Sequence, residues 1–155
     1  MRTAISTTPR LREQGFSLIE ILVVLVILGL LIGVVAPNVL NQADKARTKT
    51  VFADFAGIQS ALKVYRLDNY NYPSSEQGLQ ALVEKPGIDP IPPQWQKGGY
   101  LPKLPLDPWN RPYLYIVPGE KGDYDLYSLG ADGVSGGVDQ NADLYHWQQG
   151  QAPAQ

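Results

Sequence analysis

The chain has 155 residues, one domain's worth of length, with 13 basic and 15 acidic side chains and a net charge of −2. That balance gives no general attraction to nucleic acid, and the absence of cysteine removes disulfides, thiol nucleophiles, iron–sulfur clusters and cysteine-based zinc sites. With one histidine, His146, a His-rich metal centre is excluded and a Ser–His–Asp triad has a single possible base, so the composition leans away from an enzyme. Thirteen prolines and fifteen glycines without a collagen period punctuate loops and do not fit an all-helical bundle.

Residues 16–36 read FSLIEILVVLVILGLLIGVVA, 21 positions with one charge, Glu20. As a helix this run is about 32 Å long, close to the roughly 30 Å hydrocarbon core of a bilayer. Apolar residues cover every face and not one stripe, which favours a membrane span over a buried helix of a soluble domain. Arg2, Arg10 and Arg12 precede the run like the basic region of a secretory signal, but the run is longer than a signal's apolar core and lacks a small-x-small cleavage site. The segment therefore reads as a retained single anchor, its basic flank cytoplasmic and its C-terminal part on the other side. Glu20 is the odd residue, since a carboxylate at the centre of a span costs about 2.5–3.5 kcal/mol. It lies near the end of the run and either snorkels to the headgroups or takes a positive partner, and no lysine or arginine lies within the run to supply one.

Gly15-Phe16-Ser17-Leu18-Ile19-Glu20, after a basic leader and before an apolar helix, resembles the class III signal of type IV pilins and pseudopilins. The resemblance implies that a prepilin peptidase cuts after Gly15, that residues 1–15 are a cleaved leader, and that Phe16 is N-methylated. It also implies a role for Glu20 in assembly, through the N-terminal amine of a neighbouring subunit. A buried carboxylate is tolerated when paired, which agrees with that role.

Beyond Pro37, apolar Val51, Phe55, Ile58, Leu62 and Tyr65 recur at spacings 4, 3, 4, 3, one stripe of an amphipathic helix. Asp44, Lys45, Arg47, Lys49, Asp54, Lys63 and Arg66 take the other faces and read as a solvated surface. Pro37 predicts a kink or local unwinding. Residues 37–69 are thus an amphipathic continuation of the apolar helix.

Residues 70–147 form a loop-rich lobe, followed by a tail at 148–155. Ser74-Ser75-Glu76-Gln77 carries the cap chemistry of a short helix reaching about Val83. The proline-rich stretch through Leu104 excludes a helix or central strand, and Trp95 and Tyr100 are placed over a core. Asp107–Tyr113 (DPWNRPY) is a turn, and Tyr113–Val117 and Tyr124–Leu129 are two strands joined by a hairpin loop. The aromatics of this lobe suit core packing, with carbohydrate binding as the other reading.

The runs at 61–83, 107–113 and 125–133 resemble the major pseudopilin of the type II secretion system. Asn110 stands where that family usually has glycine, and asparagine is the next residue to tolerate a left-handed turn. The implied fold is α+β: a long N-terminal helix, half membrane and half amphipathic, packed on a small lobe with a short antiparallel sheet and a calcium-binding loop. The implied function is not enzymatic. It is a structural subunit of a periplasmic pseudopilus anchored in the bacterial inner membrane, N-terminus cytoplasmic, that supports export of folded proteins. Its implied partners are copies of itself, the prepilin peptidase, minor pseudopilins and the inner-membrane platform, with no nucleic acid. The rivals are a major pilin of a type IV pilus and a tethered periplasmic glycan-binding module or hydrolase.

The segment 129–144, LGADGVSGGVDQNADL, sets acids among glycines. Hard oxygens on a flexible backbone suit calcium, and on spacing alone a plain Asx/glycine turn region fits as well. Val134 and Gly136 exclude an EF-hand. The resemblance implies one calcium here, with Asp132, Asp139 and Asp143 as side-chain ligands and Leu129 and Val134 giving carbonyls.

Overall fold

The computed structural model describes residues 16–149, leaving aside the side chains of 33–41. One α-helix, α1 (Leu18–Asn69), is followed by a lobe with three short strands: β1 (Leu114–Ile116), β2 (Asp125–Ser128) and β3 (Leu144–Tyr145). The chain divides into two compact units that meet between Asn41 and Gln42, so the second half of α1 belongs with the lobe.

In the first unit the helix passes from Ser17, whose carbonyl accepts the N–H groups of Glu20 and Ile21, into the apolar run. Every described side chain from Phe16 to Ile32 is exposed. Among the described residues no helix is long and apolar enough to cross a membrane. The described side chains of the 21-residue run stop at Ile32, and Gly15 lies outside the described residues. Helical backbone runs through Pro37, where the sequence predicts a kink or local unwinding; the helix is not unwound there.

In the second unit the predicted stripe is the core. Val51, Phe55, Ile58, Leu62 and Tyr65 are all buried and pack with Leu79, Leu82, Tyr113, Tyr124 and Leu126. Each large side chain buried here stabilises the fold by about 1.5–3 kcal/mol. Phe55 meets Tyr113 edge-on, with ring centroids 5.3 Å apart. The Tyr113 hydroxyl donates to Asp54 Oδ2 at 2.7 Å, which takes one predicted surface charge into a tertiary contact. Burial and then the Asp54 carboxylate push the Tyr113 phenol far above its ordinary value. Trp95 and Tyr100 cover the core as expected, Trp95 donating its Nε1 proton to the Ala81 carbonyl at 2.8 Å.

The helix ends through Tyr70, held at φ 67° in the left-handed region. Asn69 anchors that end. Its Nδ2 donates to the Tyr65 carbonyl at 3.0 Å and the Tyr100 hydroxyl at 2.9 Å, and its Oδ1 accepts from Gln94 N–H at 3.0 Å. The short helix expected through Val83 is shorter and tighter. Ser74 and Gln77 exchange hydrogen bonds across a turn as their cap chemistry predicts, but Gly78 at φ 60° stops it, and only a 3₁₀ turn at Leu79–Leu82 follows.

The sheet is antiparallel in the order β1-β2-β3, with Leu114 opposite Tyr127 and Tyr127 opposite Tyr145. The first two strands lie inside the predicted runs, and β3 was not foreseen. Alternation sends Tyr113, Tyr115, Leu126, Ser128 and Leu144 toward the helix and leaves Leu114, Ile116, Asp125, Tyr127 and Tyr145 on the other face.

Candidate functional site

Two turns, each with an aspartate and at least one positive-φ residue, are joined by Arg111. The first is built on Asp107. Its Oδ1 accepts the N–H groups of Trp109 at 3.0 Å and Arg111 at 2.8 Å, and its Oδ2 accepts from the Ser128 hydroxyl at 2.8 Å. The backbone closes the same turn, with Asn110 N–H on the Asp107 carbonyl at 2.8 Å. Asn110 sits at φ 67°, the left-handed turn position that its stand-in for glycine predicts.

The second turn is the 129–143 loop. Gly130, Gly133, Gly136 and Gly137 all have positive φ. At Gly137 the choice is steric too, since a side chain would run into the Asn141 backbone. Asp132 Oδ1 accepts from Val134 N–H at 3.0 Å, a local Asx turn. Leu129 O accepts from Gly133 N–H at 3.2 Å. Asp139 opens a 3₁₀ turn at φ 53° and is exposed. Asp143 reaches back across the loop, its Oδ2 accepting from Gly136 N–H at 3.0 Å and the Ser135 hydroxyl at 3.4 Å. Its Oδ1 is buried with no hydrogen-bond partner. Among the described residues no three acids or histidines stand close enough to hold a metal ion by side chains alone.

The predicted ligands therefore share one loop without converging on one point. Calcium takes carbonyl and water oxygens as readily as carboxylates. The donor set of Asp132, Asp143 and the carbonyls of Leu129 and Val134 has that chemistry, and a buried orphan carboxylate oxygen is the type of atom a cation would satisfy. The residues present fit the ion.

Sequence reasoning missed Arg111, which joins the two turns. Its guanidinium donates to the carbonyls of Gly130 and of Ala131 (3.3 Å), and its Nε stands 3.7 Å from Asp107 Oδ2. The absent side chain of Gly133 leaves room for it. The one signal for Asp107 was its spacing to Asn110, an Asx-turn pattern; nothing in the sequence pointed to Arg111.

Beyond the loop, β3 and a 3₁₀ turn at His146–Gln148 close the lobe. His146 stacks on Tyr124 with centroids 5.0 Å apart, and its Nδ1 accepts from Leu126 N–H at 3.2 Å, so the histidine is structural and offers no catalytic base. Burial lowers its pKa below the ordinary value. Burial, then the charge of Asp143, pushes the Tyr145 phenol up.

These features define the class: a pilin-like α+β subunit with an apolar N-terminal helix. An N-terminal sequence described as a prokaryotic N-terminal methylation motif matches residues 10–36. The family described as "Type II secretion system (T2SS), protein G" matches residues 38–147. The chain is 53% identical over 138 residues to type II secretion system core protein G of Pseudomonas aeruginosa, covering 89% of this chain and 97% of that one. It is 45% identical over 136 residues to core protein G of Vibrio cholerae, covering 88% and 92%. It also superposes on the crystal structure of the major pseudopilin from the type 2 secretion system of enterohaemorrhagic Escherichia coli, with TM-score 0.66 and 42% identity over 72% of this chain and 96% of that one. The chain belongs to the type II secretion system protein G family, the major pseudopilins, which are structural subunits and not enzymes.

Proposed function

We propose that this chain polymerises through its N-terminal helix into the periplasmic pseudopilus of a type II secretion system and so supports export of folded proteins across the outer membrane. The observation that carries this reading is the helix surface from Phe16 to Ile32, exposed on every side in a single chain and apolar except at Ser17 and Glu20. Such a surface needs lipid or other subunits to cover it. The leader 1–15 is removed by prepilin peptidase after Gly15, and Phe16 is then N-methylated. The helix 16–36 anchors the subunit in the inner membrane before assembly, 37–69 extends it, and the lobe 70–147 with its tail 148–155 stands in the periplasm. Minor pseudopilins and the inner-membrane platform are its partners. Glu20 pairs with the ammonium on a neighbour's Phe16, since a carboxylate within an apolar helix bundle favours a charged partner.

The same reading gives the 129–143 loop one calcium, held by Asp132, Asp139, Asp143 and the carbonyls of Leu129 and Val134. Bound there, the ion neutralises an acidic loop that no disulfide holds shut. The orphan Asp143 Oδ1 supports this assignment.

Mass spectrometry of membrane-extracted protein tests the reading. It is expected to find a chain starting at N-methylated Phe16, and an intact Met1 in cells that secrete normally would refute it. Glu20→Ala is expected to insert in the membrane yet form few filaments, and normal filaments from it would return Glu20 to the headgroups.

A further inference from the structure

The outer face of the sheet, turned away from α1, is not the polar surface that a solvated sheet face carries. Leu114, Ile116, Tyr127 and Tyr145 lie there, and with Glu120 and Asp125 they line an open cavity of about 250 Å³. Asp125 is 5% exposed. Its Oδ2 accepts from Glu120 N–H at 3.0 Å, and its Oδ1 is buried without a partner. No lysine or arginine lines the cavity. The hairpin's own cation, Lys121, stands over the Trp147 ring, 5.2 Å from its centroid.

A second oddity lies on the helix. Lys45 and Lys49 are exposed, four residues apart on one face, where like charges repel. Among the described residues neither has a carboxylate partner, and the local acid, Asp44, is bonded to Arg47 at 3.0 Å. The helix packs on the inner face of the sheet, so these lysines are on the wrong side to enter the cavity of their own lobe.

We propose that the cavity on the outer sheet face receives the Lys45–Lys49 turn of a second copy of this chain. A lysine suits it in both parts: the aliphatic stem lies along Leu114, Ile116 and the tyrosine rings, and the ammonium meets Glu120 and Asp125. Cavity and lysines are different surfaces of one chain, so the contact is head-to-tail, the type that repeats along a filament. The inference rests on the filament reading above and adds a specific contact to it.

The test uses the full chain in cells carrying the secretion system. The chain has no cysteine, so Glu120→Cys with Lys49→Cys introduces its only two thiols. A ladder of disulfide-linked multimers is expected, and none from Glu120→Cys with Lys63→Cys. Glu120→Lys and Lys49→Glu are each expected to lower filament number at least tenfold at unchanged subunit level, and the two together to restore at least half. Should Glu120→Lys fail to accumulate, Glu120→Gln replaces it, with a several-fold loss expected and an unchanged filament number overturning the contact. Normal filaments from Glu120→Lys, no recovery in the double variant, or crosslinking of position 120 to a different protein also overturns it. If the unaltered chain forms no filaments, the filament reading itself fails and the contact with it.

Discussion

The Asp107 turn and the 129–143 loop use the same materials, an aspartate near positive-φ residues, and reach opposite ends. Asp107 is 4% exposed, and both its carboxylate oxygens are bonded to groups of its own chain. The loop places Asp132 and Asp139 at the surface and leaves an oxygen of Asp143 buried and alone. A turn that satisfies its own charge is a fixed part of the core. A loop that does not leaves a buried oxygen for a partner from outside the chain, the role proposed above for calcium. Arg111 bonds to both, so the fixed turn holds one edge of the loop in place.

The largest expected effect breaks the fixed turn. Asp107→Ala removes the acceptor of two N–H groups and of a buried serine hydroxyl, and is expected to cost about 3–5 kcal/mol. Urea unfolding of the full chain in detergent measures it. A loss as small as that of an exposed acid would mean the two turns do not differ as described.

Calcium comes next. A ligand that binds only the folded chain stabilises it by about 2.7 kcal/mol at a hundredfold excess over Kd. Chelation is expected to lower the melting temperature and calcium to restore it better than magnesium, which demands tighter geometry. Asp143→Ala is expected to abolish the difference. Equal melting with chelator and with millimolar calcium would make the loop a glycine turn and nothing more.

Asn110→Ala forces a β-carbon into the left-handed region and is expected to cost about 1–2 kcal/mol, while Asn110→Gly stays near neutral. A similar alanine cost at exposed Val134, in the loop, would erase the contrast between the two turns.

The smallest effect is a pH dependence. His146 has a folded-state pKa below its ordinary 6.5, so the unfolded chain binds more protons below that pH. Stability is therefore complete above about pH 6.5 and falls with acid until the pH passes the folded value. Protonation also removes the Nδ1 acceptor of Leu126 N–H, loosening the chain where β3 ends and the last 3₁₀ turn begins. Asp125 opposes the shift, so the slope is expected to be shallow. His146→Gln is expected to flatten it, and an unchanged slope would place the acid sensitivity in the carboxylates.

What the sequence settled by itself was periodic or compositional. The 4-3-4-3 stripe named five residues that are all buried, because a helix facing a core has little choice of residue on that side. The apolar run gave a helix whose described side chains are all exposed, and Asn110 marked a left-handed turn, since each is a local chemical constraint. The tertiary structure decided what depends on residues far apart in the chain. Pro37 lies within continuous helix, and the helix expected after Ser74 shrank to a 3₁₀ turn. Asp54 left the solvated face for Tyr113, 59 residues away. Arg111 found the carbonyls of a loop about twenty residues on, and β3 formed because its two residues had β2 to pair with. Two residues have no period to read and a guanidinium has no pattern of its own; their partners exist only once the chain has folded.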